Sequence, residues 1–161
     1  MRFHLIDKIV EVEPDKGLRA VKHLTLGEEY LADHFPTFPV LPGVLMLQTL
    51  VEAGAWFLRV QEDFRYSVIT LREAKNVKYG HFMQPGRSMQ VSVELVEQAE
   101  SPEGKLASFK GKGEVEGTAT VSARLTLVRY NLQDRNPAWR PLDEQLVNTL
   151  RSAYLVLRGN G

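Results

Sequence analysis

The sequence predicts an α+β fold in which antiparallel strands surround one long central helix. Two observations carry this prediction. The segment Val44–Leu58 is mostly apolar, with hydrophobic residues at helical spacing, so a helix there would be buried on most sides. Most of the remaining chain has the pattern of successive strands separated by turns. One helix set apart from a run of strands indicates a single antiparallel sheet.

The individual strands are predicted from alternating apolar residues and turn signals. Leu5–Glu13 and Leu18–Leu24 flank a Pro-Asp-Lys-Gly turn, which is typical of a β-hairpin. Four later strands are predicted at Ser67–Leu71 (with Asn76–Tyr79 as an extension), Ser88–Val96, Lys105–Val115 and Thr118–Tyr130. The composition changes after Tyr130, where Asn131–Pro137 predicts a linker and Asp143–Leu157 predicts a C-terminal helix. We therefore divide the chain into a domain at residues 1–130 and a linker with a C-terminal helix at residues 131–161.

The composition of the 161 residues is that of one ordinary globular domain, with 43% hydrophobic and 25% charged residues. Its 20 basic and 20 acidic residues give a formal net charge of +0, so we expect no nucleic-acid partner. There is no cysteine, which excludes disulfides, thiolate metal ligands and cysteine nucleophiles. The four histidines form no helical metal-binding pair, and we expect neither a metal ion nor another cofactor.

No segment of the sequence is predicted to cross a membrane. The longest apolar run, Val40–Leu47, is interrupted by Pro42 and Gly43 and is far shorter than the roughly 20 residues that a spanning helix needs. Charged residues follow Met1 too early for a secretory signal. We therefore expect a cytoplasmic protein.

The most informative segment runs from His34 to Gln48. Its prolines each remove an amide donor and restrict the preceding residue, so the part up to Pro42 is extended and stiff rather than helical. A stiff loop can fix the direction of the His34 imidazole. Gly43, flanked by Pro42 and Val44, allows close approach of a ligand at the helix start, where free N–H groups point outward. A neutral histidine beside such donors is a candidate general base facing an oxyanion hole.

This segment resembles the active-site motif of the beta-hydroxyacyl-[acyl-carrier-protein] dehydratases, a family of fatty acid synthesis. The motif is H-F-P-x-x-P-x-x-P-G-V-L, and every fixed position is met between His34 and Leu45. Other segments are similar to the family in order and spacing, namely Arg2–Ile9, Val21–Thr25, Ala74–Tyr79 and Gln84–Gly86. The resemblance covers about residues 2–130 and leaves out the C-terminal segment.

The resemblance implies the hot-dog fold, an antiparallel sheet wrapped around a central helix. It also implies a dimer, or a hexamer built from dimers, in which two chains form each active site. In the family, the histidine removes the Cα proton of a 3-hydroxyacyl thioester, and a carboxylate on the partner's helix protonates the leaving hydroxyl. The thioester carbonyl accepts a hydrogen bond from an amide at the helix start. By position, these roles fall on His34 and, for the amide, on Gly43.

The sequence departs from the family's pattern on the predicted helix. The family carries a glutamate fourteen residues after the histidine, or an aspartate in the related dehydratase-isomerases, and this position is Gln48 here. The family often has glutamine four residues further on, where this chain has Glu52. The acid and the amide are thus exchanged along one helical stripe. Because glutamine cannot donate a proton as an acid, Glu52 or a water ordered by Gln48 would have to assist the hydroxyl.

The expected function is therefore that of an enzyme like the (3R)-hydroxyacyl-[acyl-carrier-protein] dehydratases, a hydro-lyase that forms a trans-2-enoyl thioester. Its expected partner is an acyl thioester of acyl carrier protein or of coenzyme A. Two alternatives stay open. A hot-dog thioesterase could use Glu52 on water or on the thioester, and a non-catalytic acyl-binding or scaffold protein could have kept His34 and lost the acid.

Overall fold

The computed structural model describes residues 4–159 and contains a six-stranded antiparallel sheet wrapped around a long helix. The strands are β1 (Lys8–Glu13), β2 (Gly17–His23), β3 (Val68–Tyr79), β4 (Ser88–Ser101), β5 (Gly104–Val115) and β6 (Thr118–Tyr130). Their order across the sheet is β1-β2-β4-β5-β6-β3, so β1 and β3 form its edges. Arg2 and Phe3 of the family-like opening, and Asn160 and Gly161 of the predicted C-terminal segment, lie outside the described residues.

The predicted hairpin and the later strands are all present in the sheet. The predicted bounds of the last strand, Thr118–Tyr130, match those of β6. The predicted fragments Ser67–Leu71 and Asn76–Tyr79 belong to one continuous strand, β3. Irregularities in its pairing with β6, between Leu71 and Glu73 and again between Lys75 and Lys78, shift the side chains relative to the two faces. This interrupts the alternation in the sequence although the hydrogen-bonded ladder continues.

The central helix α1 (Gly43–Gln61) lies against the sheet, and its middle turns are buried. The small residues of its second half let sheet side chains approach closely. A Cβ atom on Gly54 would lie 3.0 Å from Leu127 Cδ1 and 3.5 Å from Phe109 Cδ2. Two side chains of the sheet thus approach α1 at Gly54, where no Cβ atom intervenes. The helix is long and apolar enough to cross a membrane, but 56% of its most apolar window is buried inside the fold, as in a core helix.

The sheet and α1 together form the hot-dog fold that the family resemblance implied. The core lies between them and is filled by side chains from both, such as Phe57 of α1, whose ring meets that of Phe109 on β5 edge-on at 5.7 Å. The proline-rich segment at residues 35–42 leads into α1 without a helix, as expected, but residues 35–38 form a hydrogen-bonded turn instead of the expected extended stretch. This segment joins His34 directly to the first turn of α1.

The C-terminal helix α2 (Arg140–Leu157) packs against the domain near the end of α1. The ring of its Tyr154 stacks on Trp56 at 6.2 Å and meets Phe64 at 5.8 Å. The helix begins three residues before the predicted start at Asp143, because Pro141 is compatible with a first helical turn. The division of the chain at residue 130 stays a prediction.

Asp143 joins α2 to the sheet through a buried carboxylate. Its oxygens accept hydrogen bonds from the Ser67 hydroxyl and from the amides of Leu132 and Gln133, the latter two at 2.9 Å. Burial raises the pKa of the Asp143 carboxyl, but these three donors outweigh that effect and hold the pKa below its ordinary value. The charged form of Asp143 therefore stabilises the docked helix.

Replacing Asp143 by alanine is expected to lower the free energy of unfolding by about 1–3 kcal/mol, because buried donors lose their acceptor. In the native chain, the stabilisation from Asp143 is present above its unfolded pKa of about 3.9 and is lost as the pH falls through the lower folded value. Urea unfolding between pH 7 and pH 2 measures both effects, with the exposed Asp33 replaced by alanine as a control. An unchanged acid dependence in Asp143→Asn would contradict this assignment.

Candidate functional site

His34 lies two residues beyond a 3-10 turn at Glu29–Ala32, on the connection between β2 and α1. The side chain of His34 is half-buried, and its imidazole lies 4.5 Å from the Phe35 ring with a tilt of 59°. Phe35 has a φ of 49°, in the left-handed region that non-glycine residues rarely adopt. A hydrogen bond from the Phe38 amide to the Phe35 carbonyl, at 2.8 Å, closes the turn that follows. The chain therefore reverses sharply just after His34, through a turn with a strained residue at Phe35.

Pro42, Gly43 and Val44 form the start of α1. The Pro42 carbonyl accepts hydrogen bonds from the amides of Leu45 and Met46, at 2.9 and 3.1 Å. The amides of Gly43 and Val44 belong to the first turn, whose N–H groups have no acceptor within the helix. Val44 is 70% exposed, so its end of the helix is open to a ligand or a partner. These amides and the positive end of the helix dipole can stabilise negative charge on a carbonyl oxygen.

Gly43 faces the aromatic ring of Tyr79, the last residue of β3. A Cβ atom on residue 43 would lie 3.1 Å from Tyr79 Cε1 and 3.2 Å from Cδ1, which is tighter than ordinary contact. Glycine at this position therefore allows the ring to pack over the helix start. Tyr79 is 51% exposed, so its ring also borders the open surface beside the Gly43 and Val44 amides.

Gln48 and Glu52 lie further along α1, on the same stripe of the helix. The rise of an α-helix places Gln48 about 7.5 Å beyond Gly43 along the axis and Glu52 about 6 Å further. Gln48 is exposed, whereas Glu52 is half-buried under the N-terminal segment. Glu52 Oε2 accepts a hydrogen bond of 3.0 Å from the Leu5 amide, and the Ile6 amide also donates to this carboxyl group.

Burial raises the pKa of the Glu52 carboxyl above its ordinary value. The two amide donors offset part of that rise, and so do the charges of Arg59 and Lys22. Arg59, two turns further along α1, has its guanidinium 5.2 Å from the centre of the Trp56 ring. Burial lowers the pKa of Arg59 to about 10 although the charge of Glu52 opposes this. Glu52 thus combines a desolvated carboxyl group with a structural hold on the N-terminal segment.

The helix start is bordered by exposed aromatic residues, which we call the aromatic rim: Phe35, Phe38, Tyr79 and Phe82. Phe82 is 69% exposed, and its ring meets that of Phe38 edge-on at 6.2 Å. Together with the exposed Val44, the aromatic rim surrounds the His34 loop with apolar surface. Exposed apolar surface of this kind marks a binding site for a ligand or another protein.

Candidate residues for lining an acyl tunnel and for contacting an acyl carrier differ in their burial. Met46 and Phe57 are buried in the core, whereas Leu45 and Leu47 are half-buried against it. The basic candidates for contact with a carrier, Lys75, Lys78 and Arg87, are all exposed. Lys75 lies 3.1 Å from Glu73, and Arg87 pairs with Glu116, so two of the three have surface ion-pair partners. Such exposed pairs are weak and leave these cations available to a partner.

Sequence reasoning did not identify Tyr79 or the buried Lys22 as part of this region. No local pattern indicates that the Tyr79 ring meets Gly43, because the contact joins residues far apart in the chain. The inward direction of the Lys22 side chain, in contrast, could have been predicted from the sequence. Lys22 follows Leu18 and Ala20 at alternate positions of β2, and this alternation predicts that its side chain points inward.

Comparisons with known proteins identify the family of this chain. The family model of the FabA-like domain matches residues 1–124 of this chain. This range includes His34, the helix start, Gln48 and Glu52. A 3-hydroxyacyl-[acyl-carrier-protein] dehydratase FabZ from Bacillus subtilis is 31% identical over 124 residues, covering 77% of this chain and 85% of the relative. The match to the family ends before α2 begins.

Solved structures share the fold at low sequence identity. A chain of the dehydratase heterocomplex ApeI:P from Xenorhabdus doucetiae has a TM-score of 0.65 at 16% identity, covering 85% of this chain and 90% of that chain. A hypothetical thioesterase from Streptococcus pneumoniae with coenzyme A has a TM-score of 0.56 at 11% identity. The match covers 76% of this chain and 84% of that chain. These two likenesses concern the fold alone. The family match and the FabZ relative, together with the complete histidine-proline motif, show that this chain belongs to the family of 3-hydroxyacyl-[acyl-carrier-protein] dehydratases.

Proposed function

We propose that this protein removes water from a 3-hydroxyacyl thioester to give a trans-2-enoyl thioester. The observation that carries the proposal is the complete motif, with its half-buried histidine and a glycine at the helix start, in a chain of the dehydratase family. His34 is the proposed base, and Gly43 with Val44 provides the proposed amide donors. Pro42 sets the start of the helix that carries them.

The proposed reaction begins with transfer of the substrate's Cα proton to the His34 imidazole. The thioester carbonyl accepts a hydrogen bond from the Gly43 or Val44 amide, which stabilises the charge that develops on its oxygen. The electron pair of the broken C–H bond forms the Cα–Cβ double bond as the C–O bond to the hydroxyl breaks. The leaving hydroxide takes up a proton and departs as water, and the imidazolium later returns its proton to solvent.

Glu52 and Gln48 are the two proposed sources of help for the leaving hydroxyl. The raised pKa of Glu52 supports its role as an acid, since a carboxylic acid can donate only while it is protonated. The hydrogen bonds from Leu5 and Ile6 support the competing role, in which Glu52 holds the N-terminal segment. In that case the donor would be a water bound by the exposed amide of Gln48.

The carrier of the acyl chain is proposed to be acyl carrier protein, with coenzyme A as the alternative. The exposed cations Lys75, Lys78 and Arg87 suit the phosphate of a phosphopantetheine arm, which both carriers contain. The FabZ relative is named for its action on a substrate carried by acyl carrier protein. For this chain, the carrier is decided by comparing kcat/KM for one acyl chain on the two carriers.

The deciding assay incubates the protein with a 3-hydroxyacyl thioester and follows the enoyl product and free thiol together. Formation of enoyl thioester without thiol release supports the proposal. Release of thiol would indicate the second candidate, a thioesterase, which the helix carboxylate of Glu52 favours. Neither product, together with retained binding of the acyl thioester, would indicate an acyl-binding or scaffold protein. His34→Ala serves as the control for a contaminating activity.

We further propose that two copies of the chain associate to complete the site. One sheet edge is β3, twelve residues long, and Tyr79 at its end belongs to the aromatic rim beside the exposed Val44. An edge strand with unpaired backbone groups next to exposed apolar surface is suited to pairing with a second copy. A hexamer would contain three such pairs.

Sedimentation of the purified protein is expected to give a dimer or a hexamer at micromolar concentration. The physical reason is that association would cover the apolar aromatic rim and pair the free edge of β3. Phe82→Asp, which puts a charge on this rim outside the proposed catalytic residues, should shift the distribution toward smaller species. Thr149→Asp on the exposed side of α2 provides a control. A stable monomer at that concentration would rule out the shared site.

A further inference from the structure

Lys22, at the end of β2, is a buried cation that the proposed reaction does not use. The residue is 1% exposed. Its Nζ lies 2.7 Å from Glu28 Oε1 and 3.5 Å from Asp7 Oδ2. Burial of an unpaired ammonium group is strongly unfavourable, so these two carboxylates compensate for a charge that an apolar side chain would not bring. Lys22 is therefore held by specific ionic partners and not by apolar packing alone.

Glu28 connects Lys22 to the segment that carries His34. It directly precedes the 3-10 turn at Glu29–Ala32, and its carbonyl accepts a hydrogen bond of 3.1 Å from the Leu31 amide. The Lys22–Glu28 ion pair therefore ties the start of this turn to the end of β2. His34 follows the turn by two residues, so a shift of the turn would move the imidazole.

The backbone of this connection is held to the rest of the domain at its two ends. The Leu24 amide donates to the Arg87 carbonyl at 3.0 Å, and the Leu41 amide donates to the Met83 carbonyl at 2.9 Å. Between these anchors, the backbone hydrogen bonds found within the described part of the chain are local to residues 25–40. Side chains must therefore position the middle of the connection, and the Lys22–Glu28 pair is the charged contact among them.

Tyr30, inside the 3-10 turn, faces the same carboxylate. Burial, the charge of Glu28 and a hydrogen bond to Glu28 raise the pKa of the Tyr30 hydroxyl, and the charge of Asp7 adds to this effect. The Glu28 carboxylate thus has both Lys22 and Tyr30 as neighbours. The buried Leu31 completes the contact of the turn with the core.

We propose that Lys22 is a positioning residue that fixes the His34 imidazole through its ion pair with Glu28 and the 3-10 turn. This inference rests on the proposed function, in which His34 is the base. Its importance follows from geometry, because displacement of a reacting group by about 1 Å can cost about 10²-fold in rate. Lys22 itself is not a catalytic residue, since it reaches the base only through other residues.

The test compares Glu28→Ala and Lys22→Met with the native protein. Glu28 makes no side-chain capping bond to the 3-10 turn, so alanine removes the ion pair and the hydrogen bond from Tyr30 without removing a cap, whereas Lys22→Met leaves Glu28 in place for Tyr30. Lys22→Met keeps most of the side-chain length and removes the charge. Both variants are expected to lower kcat by about 10–10²-fold with little change in KM. Faster amide hydrogen exchange at residues 29–34 is expected in both, as the readout of a loosened turn.

A matched control is Arg129→Met, which breaks another ion pair of a buried cation. Arg129 Nη2 lies 2.7 Å from Glu62 Oε1, and its side chain is 2% exposed. This variant is expected to lose stability while keeping native kcat and native exchange at residues 29–34. A loss of kcat equal to that of Lys22→Met would overturn the inference, because the effect would then reflect stability in general.

The hydrogen-exchange readout separates this inference from the proposed function. If the native protein does not dehydrate hydroxyacyl thioesters, the proposed function fails, and exchange at residues 29–34 alone decides the role of Lys22. Native exchange rates in both Glu28→Ala and Lys22→Met would overturn that role. If Lys22→Met does not fold, Glu28→Ala decides the question by the same two measurements.

Discussion

Replacing His34 by alanine is expected to lower kcat for dehydration by a factor of about 10²–10⁴, with KM changed much less. The proposed reaction needs a base at Cα, and the strained turn at Phe35 holds the imidazole on the connection that leads into α1. Steady-state kinetics with a 3-hydroxyacyl thioester, and the reverse hydration of the enoyl thioester, measure the effect. The values of kcat/KM for dehydration and for hydration should fall by the same factor, because one transition state serves both directions.

His23→Ala is the matched control for the loss of an imidazole. His23 is exposed at the end of β2, and its Nδ1 lies 2.6 Å from the Ser88 hydroxyl. This variant should retain native kcat. If His34→Ala also retained native turnover while folded, His34 would not be the base, and the candidate site would need a different proton acceptor.

Replacing Glu52 by glutamine is expected to lower turnover by about 10²–10⁴-fold if Glu52 is the acid. The substitution is well suited to the question, since a glutamine oxygen can still accept the Leu5 amide and the side-chain size is retained. The loss of turnover would then reflect the missing proton donor and not a disturbed fold. Kinetics together with the unfolding midpoint in urea separate the two roles of Glu52.

Gln48→Glu provides the complementary experiment on the same stripe of α1. It places a carboxyl group where the family carries its glutamate, and we expect it to maintain or raise dehydration. Full turnover in Glu52→Gln, combined with loss in His34→Ala, would make Glu52 structural and assign proton donation to a water held by Gln48. An inert native protein that gains dehydration only through Gln48→Glu would instead be an acyl-binding relative that has lost its acid.

Several features of this protein could be predicted from the sequence because they depend on neighbouring residues. The period of two in Thr118–Tyr130 and the helical spacing of Val44–Leu58 are local patterns, and the structure contains β6 and α1 there. The prolines before α1 restrict their own backbone, so a non-helical connection before α1 was predictable, whereas the tight turn at Phe35–Phe38 was not. The motif also led to the family without reference to any contact.

Only the tertiary structure determined how the side chains of the candidate site are supported. The Leu5 amide meets Glu52, the Tyr79 ring packs on Gly43, and Lys22 pairs with Glu28 within a buried setting. Hydrophobic periodicity indicates which face of an element is buried, but it does not indicate which distant group meets a given side chain on that face. The raised pKa of Glu52 has the same origin, since it depends on how completely the N-terminal segment and the sheet exclude water from one carboxyl group.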